Sequence, residues 1–94
     1  MIILQAEHRV PDFAEWKKLF DSDPADRAGS GVKKHRVSQH ADDPNLVLIE
    51  LSFDNRDTAE AMLEKLRGIW SSMPDNMRFD PETRFIEVVD ESEY

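Results

Sequence analysis

Between Leu46 and Phe53 the chain alternates with a period of two, with Val47, Ile49, Leu51 and Phe53 on one side and Leu46, Leu48, Glu50 and Ser52 on the other. Successive side chains of an extended strand point to opposite faces, so this stretch is a strand with one wholly apolar face and one mixed face. Upstream, Val32–His40 also alternates, and Ala41-Asp42-Asp43-Pro44-Asn45 between the two runs is rich in residues that fix φ or bond their own backbone. The pattern predicts a β-hairpin over residues 32–53. A connection from Ala41 to Asn45 pairs His40 with Leu46 and sets Val37 opposite Ile49, His35 opposite Leu51 and Arg36 opposite Glu50. That register matches apolar with apolar and basic with acidic, and a slip of one residue would send His35 to the other face. Helices are expected to cover the apolar face. The mixed face keeps Leu46 and Leu48, and a chain of 94 residues has no segment left to cover them. A second copy of the chain is the expected cover, making a homodimer.

Each flank of the hairpin supplies one strand and one helix. Ile2 to Val10 reads as the first strand, with Ile2, Leu4, Ala6, His8 and Val10 on one face. Asp12 is the expected N-cap of a helix over residues 12–21, with Glu15 three positions on, and Phe13, Trp16, Leu19 and Phe20 as its buried stripe. Asp23-Pro24 should end that helix. A short helical turn can restart at Pro24, ahead of Gly29-Ser30-Gly31, which reads as a flexible spot. Asp54-Asn55 caps a second helix to about residue 70, where Ala59, Met62, Leu63, Leu66, Ile69 and Trp70 recur at three- and four-residue steps. Ser71 to Pro81 reads as a long loop, Thr83 to Asp90 as a fourth strand, and Glu91–Tyr94 as an acidic tail.

A chain of this length is expected to be a single domain, small enough that oligomerisation would help its stability. The net charge of −8 argues against nucleic acid or an anionic membrane as partner, because both are held by lysine and arginine. The one basic run, Lys33-Lys34-His35-Arg36, alternates across a strand and reads as a solvated edge. There is no cysteine, hence no disulfide, thiolate nucleophile or cysteine metal site. Met1–Gln5 lacks a signal peptide's basic leader, and no run is long enough to span a bilayer. A cytoplasmic protein is the default expectation.

The order β, α, β, β, α, β is the ferredoxin-like, split-βαβ motif: an α+β fold with strand order 4-1-3-2 and both helices on one face. Arg9-Val10-Pro11-Asp12 before the first helix, Gly31-Val32, Asp42-Asp43-Pro44-Asn45 at the hairpin tip and Phe53-Asp54-Asn55-Arg56-Asp57 entering the second helix carry a further likeness. Over Ile2–Val89 the sequence resembles the dimeric α/β-barrel superfamily, and within it the antibiotic biosynthesis monooxygenase-like group. The resemblance implies two sheets packed face to face in a dimer, with ligands held between sheet and helices. It also implies activities ranging from cofactor-independent oxygenation of aromatic quinols through haem chemistry to isomerisation or cyclisation. One place departs from the group: many relatives carry Glu-x-Trp at the end of the third strand, where this chain has Leu51 and Phe53, with Glu50 on the opposite side.

Of the three histidines, the only side chains that ordinarily titrate near neutrality, His8 and His35 fall on the helix-facing side of the sheet. Across the intervening third strand they should lie about 9–10 Å apart, too far to share a metal and about the width of a flat organic ligand. His40, beside the turn, reads as surface. Trp16, Phe20, Phe53 and Trp70 complete the candidate ligand-binding set with His35, although aromatics at such spacing are also ordinary core. Met62, Met73 and Met77 offer adaptable packing. No EF-hand spacing, Ser/His/Asp order, phosphate loop or HExxH appears, and no metal or cofactor is called for. An RNA-recognition module shares the element order but needs exposed aromatics on its central strands and a positive charge. Two readings stay open. In one, His8 is a general base in a pocket for a small apolar or aromatic molecule, serving a cofactor-independent oxygenation, an isomerisation or a cyclisation of a polyketide-like compound. In the other, the dimer is a non-catalytic ligand-binding or interaction protein.

Overall fold

The computed structural model describes residues 1–73 and 81–94. Its elements are β1 (Ile2–Arg9), α1 (Phe13–Asp21), β2 (Lys34–His40), β3 (Asp43–Phe53), α2 (Arg56–Ser71) and β4 (Glu82–Glu87). The strands form one antiparallel sheet in the order β2-β3-β1-β4, so the α+β ferredoxin-like fold follows from the element order as expected. Most of the loop expected from Ser71 to Pro81, Met77 included, lies outside the described residues.

Alternation decides what is buried. Leu4, Ala6, His8 and Val10 from the first strand segment and Val47, Ile49, Leu51 and Phe53 from β3 are all less than a tenth exposed. They share the interior with Trp16 of α1 and Ala59, Met62 and Leu63 of α2. Phe53, Leu4, Met62 and Val47 are wholly enclosed, and burying an apolar side chain of that size contributes about 1.5–3 kcal/mol. Both helices start at side-chain caps that satisfy amides left without an intrahelical partner. Asp12 accepts the Glu15 amide at 3.3 Å, and Asn55 accepts both the amide and the hydroxyl of Thr58 at 2.9 Å. The Glu15 carboxylate engages Lys18 at 3.3 Å.

The expected helical turn after Pro24 does not form. Asp23 and Asp26 have φ of 56° and 50°, left-handed values that aspartate tolerates and a helix does not. The connector is a series of turns instead, with Asp26 donating its amide to the Asp23 carbonyl at 3.1 Å and Ser30 to that of Asp26 at 2.9 Å. Gly29-Ser30-Gly31, expected to be flexible, is tied into the fold: Ser30 Oγ donates to the Ala25 carbonyl at 2.8 Å and accepts from Lys65 Nζ at 2.9 Å. Gly31 has φ +91°, and a Cβ there would lie 2.4 Å from Thr58 Cγ2, so glycine is required on two counts.

The hairpin register over Val37, His35 and Arg36 is the expected one, but its tip differs. His40 pairs with Asp43, not Leu46, and the register shifts at Gln39 and His40. The turn is therefore shorter, and Pro44–Leu46 bulge out of the β2 ladder. Local bonds explain the shift: the Asp42 amide donates to His40 Nδ1 at 3.3 Å, the Asn45 amide to Asp43 Oδ1 at 3.1 Å, and Gln39 Nε2 to the Pro44 carbonyl at 3.1 Å. Arg9 clamps the Asp43 carboxylate from β1, while Leu46 pairs with Arg9 and the Val10 amide donates to the Asn45 carbonyl at 2.8 Å. Those residues left β2 to extend the ladder with β1. The last strand is also shorter than expected, ending at Glu87 because Glu87 pairs with Ile2, where β1 begins. Val88 keeps one bond to the Met1 carbonyl at 3.3 Å, and Val89 is 91% exposed.

The face of the sheet away from the helices carries one polar row across all four strands. Arg36 pairs with Glu50 at 2.8–2.9 Å, Gln5 Nε2 donates to Glu50 at 3.1 Å, and Arg84 donates to Gln5 Oε1 at 3.1 Å. Glu50 is only 8% exposed, and these bonds offset the cost of burying its charge. Half-buried Leu46 and Leu48 lie on one side of this row and Ile3 and Ile86 on the other.

Candidate functional site

A cavity of about 70 Å³ lies between sheet and helices. Leu4, Ala6, Ile49 and Leu51 form its floor, Trp16, Leu19 and Phe20 its α1 wall, and Met62, Leu66, Ile69 and Trp70 its α2 wall. Met73 and, from the connector, Pro24, Ala25 and Arg27 complete it. The lining is apolar for the reason the core is: two helical stripes and two strand faces meet there. A larger depression of about 520 Å³, bordered by Glu60, Ala61, Leu63, Glu64, Arg67 and Phe85, has three charged walls and is a surface groove rather than a site that excludes water.

Of the residues singled out in the sequence, Trp16, Phe20, Trp70, Met62 and Met73 line the cavity; His8, His35 and Phe53 do not. Phe53 is fully enclosed core. His35 is exposed on the edge strand, its ring edge-on to Phe20 at 5.2 Å. His8 is 5% exposed, with its ring edge-on to Trp16 at 5.5 Å. Trp16 and Phe20 stack at 5.3 Å, so four rings run from His8 through Trp16 and Phe20 to His35.

The expected 9–10 Å between the histidines is not met. His8 lies opposite Val47, which faces Gln39, whereas His35 lies opposite Leu51, which faces Leu4. The two histidines are thus offset by four residues along the strands as well as two strands across, about 16 Å in all. One flat ligand does not bridge them. Both ring nitrogens of His8 are buried, and loss of hydration pushes its pKa down to about 4. At neutral pH the imidazole is uncharged. Asp43, at the hairpin tip, is held below the usual carboxylate range by its hydrogen bond from Arg9 and by the Asn45 amide.

Arg27 escaped the reading of the sequence. It lies in a connector without periodicity, where only the folded turns bring Ala25 and Arg27 against the cavity. No hydrophobic pattern marks it; the flanking Asp23 and Asp26 read as ordinary turn formers.

The chain matches no protein-family model and no curated protein in sequence. Its structure is similar to that of SnoaB, a cofactor-independent oxygenase from Streptomyces nogalater, with a TM-score of 0.72 at 13% identity over 96% of this chain and 94% of that one. It is similar to a variant of MhuD with two manganese protoporphyrin IX molecules bound per active site, with a TM-score of 0.74 at 12% identity over the full length of both chains. A third similar structure is a putative antibiotic biosynthesis monooxygenase from Deinococcus radiodurans, at TM-score 0.66, 15% identity and 100% and 98% coverage. The similarity at these identities is one of fold: the ferredoxin-like fold of antibiotic biosynthesis monooxygenase-type proteins. Among the described residues no helix is long and apolar enough to cross a membrane.

Proposed function

We propose that this protein binds a small, mostly apolar molecule in the cavity between its sheet and helices, as a homodimer joined through the outer face of the sheet. The observation that carries the reading is the cavity's lining: a partly open apolar space with two tryptophans and a phenylalanine on its walls is what an aromatic or aliphatic ligand needs. The dimer is supported by Leu46, Leu48, Ile3 and Ile86 on the half-buried outer face, and a solved structure of similar fold (TM-score 0.65, 10% identity, 99% and 98% coverage) is a dimeric ferredoxin-like protein from an uncultured marine organism.

A catalytic form of the reading makes His8 the general base. Its support is that His8 is buried and neutral beside Trp16, a wall of the cavity. The imidazole would take a proton from an acidic phenol or C–H group, leaving a phenolate, with negative charge delocalised onto ring carbon, or a carbanion, either of which could react with oxygen or rearrange. That role demands hydrogen-bond reach, so the ligand must displace the edge of Trp16.

The methionine methyls on the walls supply the test. In a titration with 2-naphthamide followed by ¹³C-methyl NMR, Met62 and Met73 should shift saturably while the exposed Met1 stays still. Leu66→Trp, which fills the cavity, should abolish the response. Unmoved Met62 and Met73 would refute the pocket. For the catalytic form, His8→Ala should abolish turnover with the dimer intact; unchanged turnover would remove His8 from the chemistry.

A further inference from the structure

Among the described residues Arg27 is the single charged one on a wall otherwise built of apolar and aromatic side chains. Its guanidinium carbon lies over the ring of Phe20, 4.0 Å from the centroid, and its side chain is only 17% exposed. Nη1 donates to the Phe20 carbonyl at 2.8 Å, and Nε stands 3.5 Å from Asp23 Oδ1, an oxygen that also accepts the Arg27 amide at 2.9 Å. Among the described residues nothing engages Nη2. The same phenylalanine has Lys17 Nζ at 5.9 Å and the His35 ring at 5.2 Å. In a chain of net charge −8, basic side chains therefore gather around one aromatic residue of the cavity wall.

We propose that the ligand is an amphipathic organic anion, its apolar body in the cavity and its carboxylate, or an equivalent ionised oxygen, on the guanidinium of Arg27. This rests on the cavity being the binding site. Stacking on Phe20 and the bond to its carbonyl hold the guanidinium in one orientation, so little freedom is lost when an anion docks. Asp23 offsets part of the charge but touches only the Nε edge, which leaves Nη2 donors for oxygen. A neutral ligand of the same shape gains none of this. The overall negative charge disfavours anions at long range, so a preference for the anion has to come from a local group, and among the described residues Arg27 is the cation on the wall.

The test compares 2-naphthoate with 2-naphthamide, planar isosteres that differ in charge, by the same Met62 and Met73 shifts. Wild-type protein should bind the carboxylate about tenfold more tightly or better, the size of effect a charge-assisted hydrogen bond gives. Arg27→Met keeps the length and the packing on Phe20; it should erase the preference while the amide binds as before. Equal affinities in the wild type overturn the inference and leave the pocket standing. Binding of neither probe overturns both. Should Arg27→Met fail to fold, Arg27→Lys replaces it: a preference reduced but retained supports the inference, and one unchanged in Arg27→Gln refutes it.

Discussion

His8 gives the sharpest quantitative expectation. Folding takes an imidazole that ordinarily titrates at 6.5 and buries it where its pKa is about 4. Above pH 6.5 both folded and unfolded chains carry it neutral, and it costs nothing extra. Between 6.5 and 4 the unfolded chain binds a proton that the folded chain refuses, so stability falls as the pH falls; below 4 both bind it and the loss is complete. At about 1.4 kcal/mol per pH unit the full penalty is about 3 kcal/mol, of which about 2 appears between pH 7 and pH 4.5. His8→Leu keeps a side chain of similar size and removes the titration. Urea unfolding at pH 7, 5.5 and 4.5 should show the variant gaining about 2 kcal/mol on the wild type across that range, with most carboxylate titration common to both. The wild-type His8 ring resonances should also titrate with a midpoint near 4. Parallel stability profiles for the two proteins would refute the reasoning, because they would mean that the folded state accepts the proton as readily as the unfolded one.

Two further outcomes follow from the fold. Gly31→Ala forces a Cβ into left-handed backbone and against Thr58, and should lower stability by at least about 1–2 kcal/mol by thermal or chemical unfolding. Leu48→Lys places a charge on the outer face without touching the helix side of the core; sedimentation at micromolar concentration should show dimer for the wild type and monomer for the variant, and a monomeric wild type would remove the dimer.

The parts of the fold legible in the sequence are those governed by periodicity. Val47 to Phe53 repeats every two residues, and Ala59 to Trp70 every three or four; hundreds of square ångströms of apolar surface depend on each repeat, so local detail does not override it. The hairpin tip was illegible because short-range bonds of similar strength compete there, and the Arg9–Asp43 pair that helps set it spans 34 residues. The connector departs from its sequence pattern for a related reason: Pro24 offers a helix start, but left-handed Asp23 and Asp26 decide otherwise. In the candidate site the aromatics Trp16, Phe20 and Trp70 were legible as stripe positions. The spacing of His8 and His35 was not, since facing the same side of a sheet says nothing about displacement along it. Arg27 belongs to no repeat, and its position follows only from the path of the connector.

The size of the cavity links the binding and catalytic readings. About 70 Å³ is half the roughly 150 Å³ that admits a benzene, so an aromatic ring seats fully inside only if a wall yields. The sheet floor is fixed by ladders on both sides of β1 and β3. Of the helices, α2 has 16 residues and buries Ala59, Met62 and Leu63, whereas α1 has 9 and buries Trp16 alone. A helix as short as α1 draws its stability from the contacts it makes with the rest of the chain, and those include Trp16 on His8, Phe20 on His35 and Arg27, and the Arg27 bond to the Phe20 carbonyl. The cheaper wall to move is therefore α1, and Trp16 is what moves with it. Behind Trp16 is His8. Under the proposed catalytic reading, a displacement that makes room for a ring would also remove the group standing between that ring and the imidazole, and so would bring a ligand large enough to need the space within reach of His8.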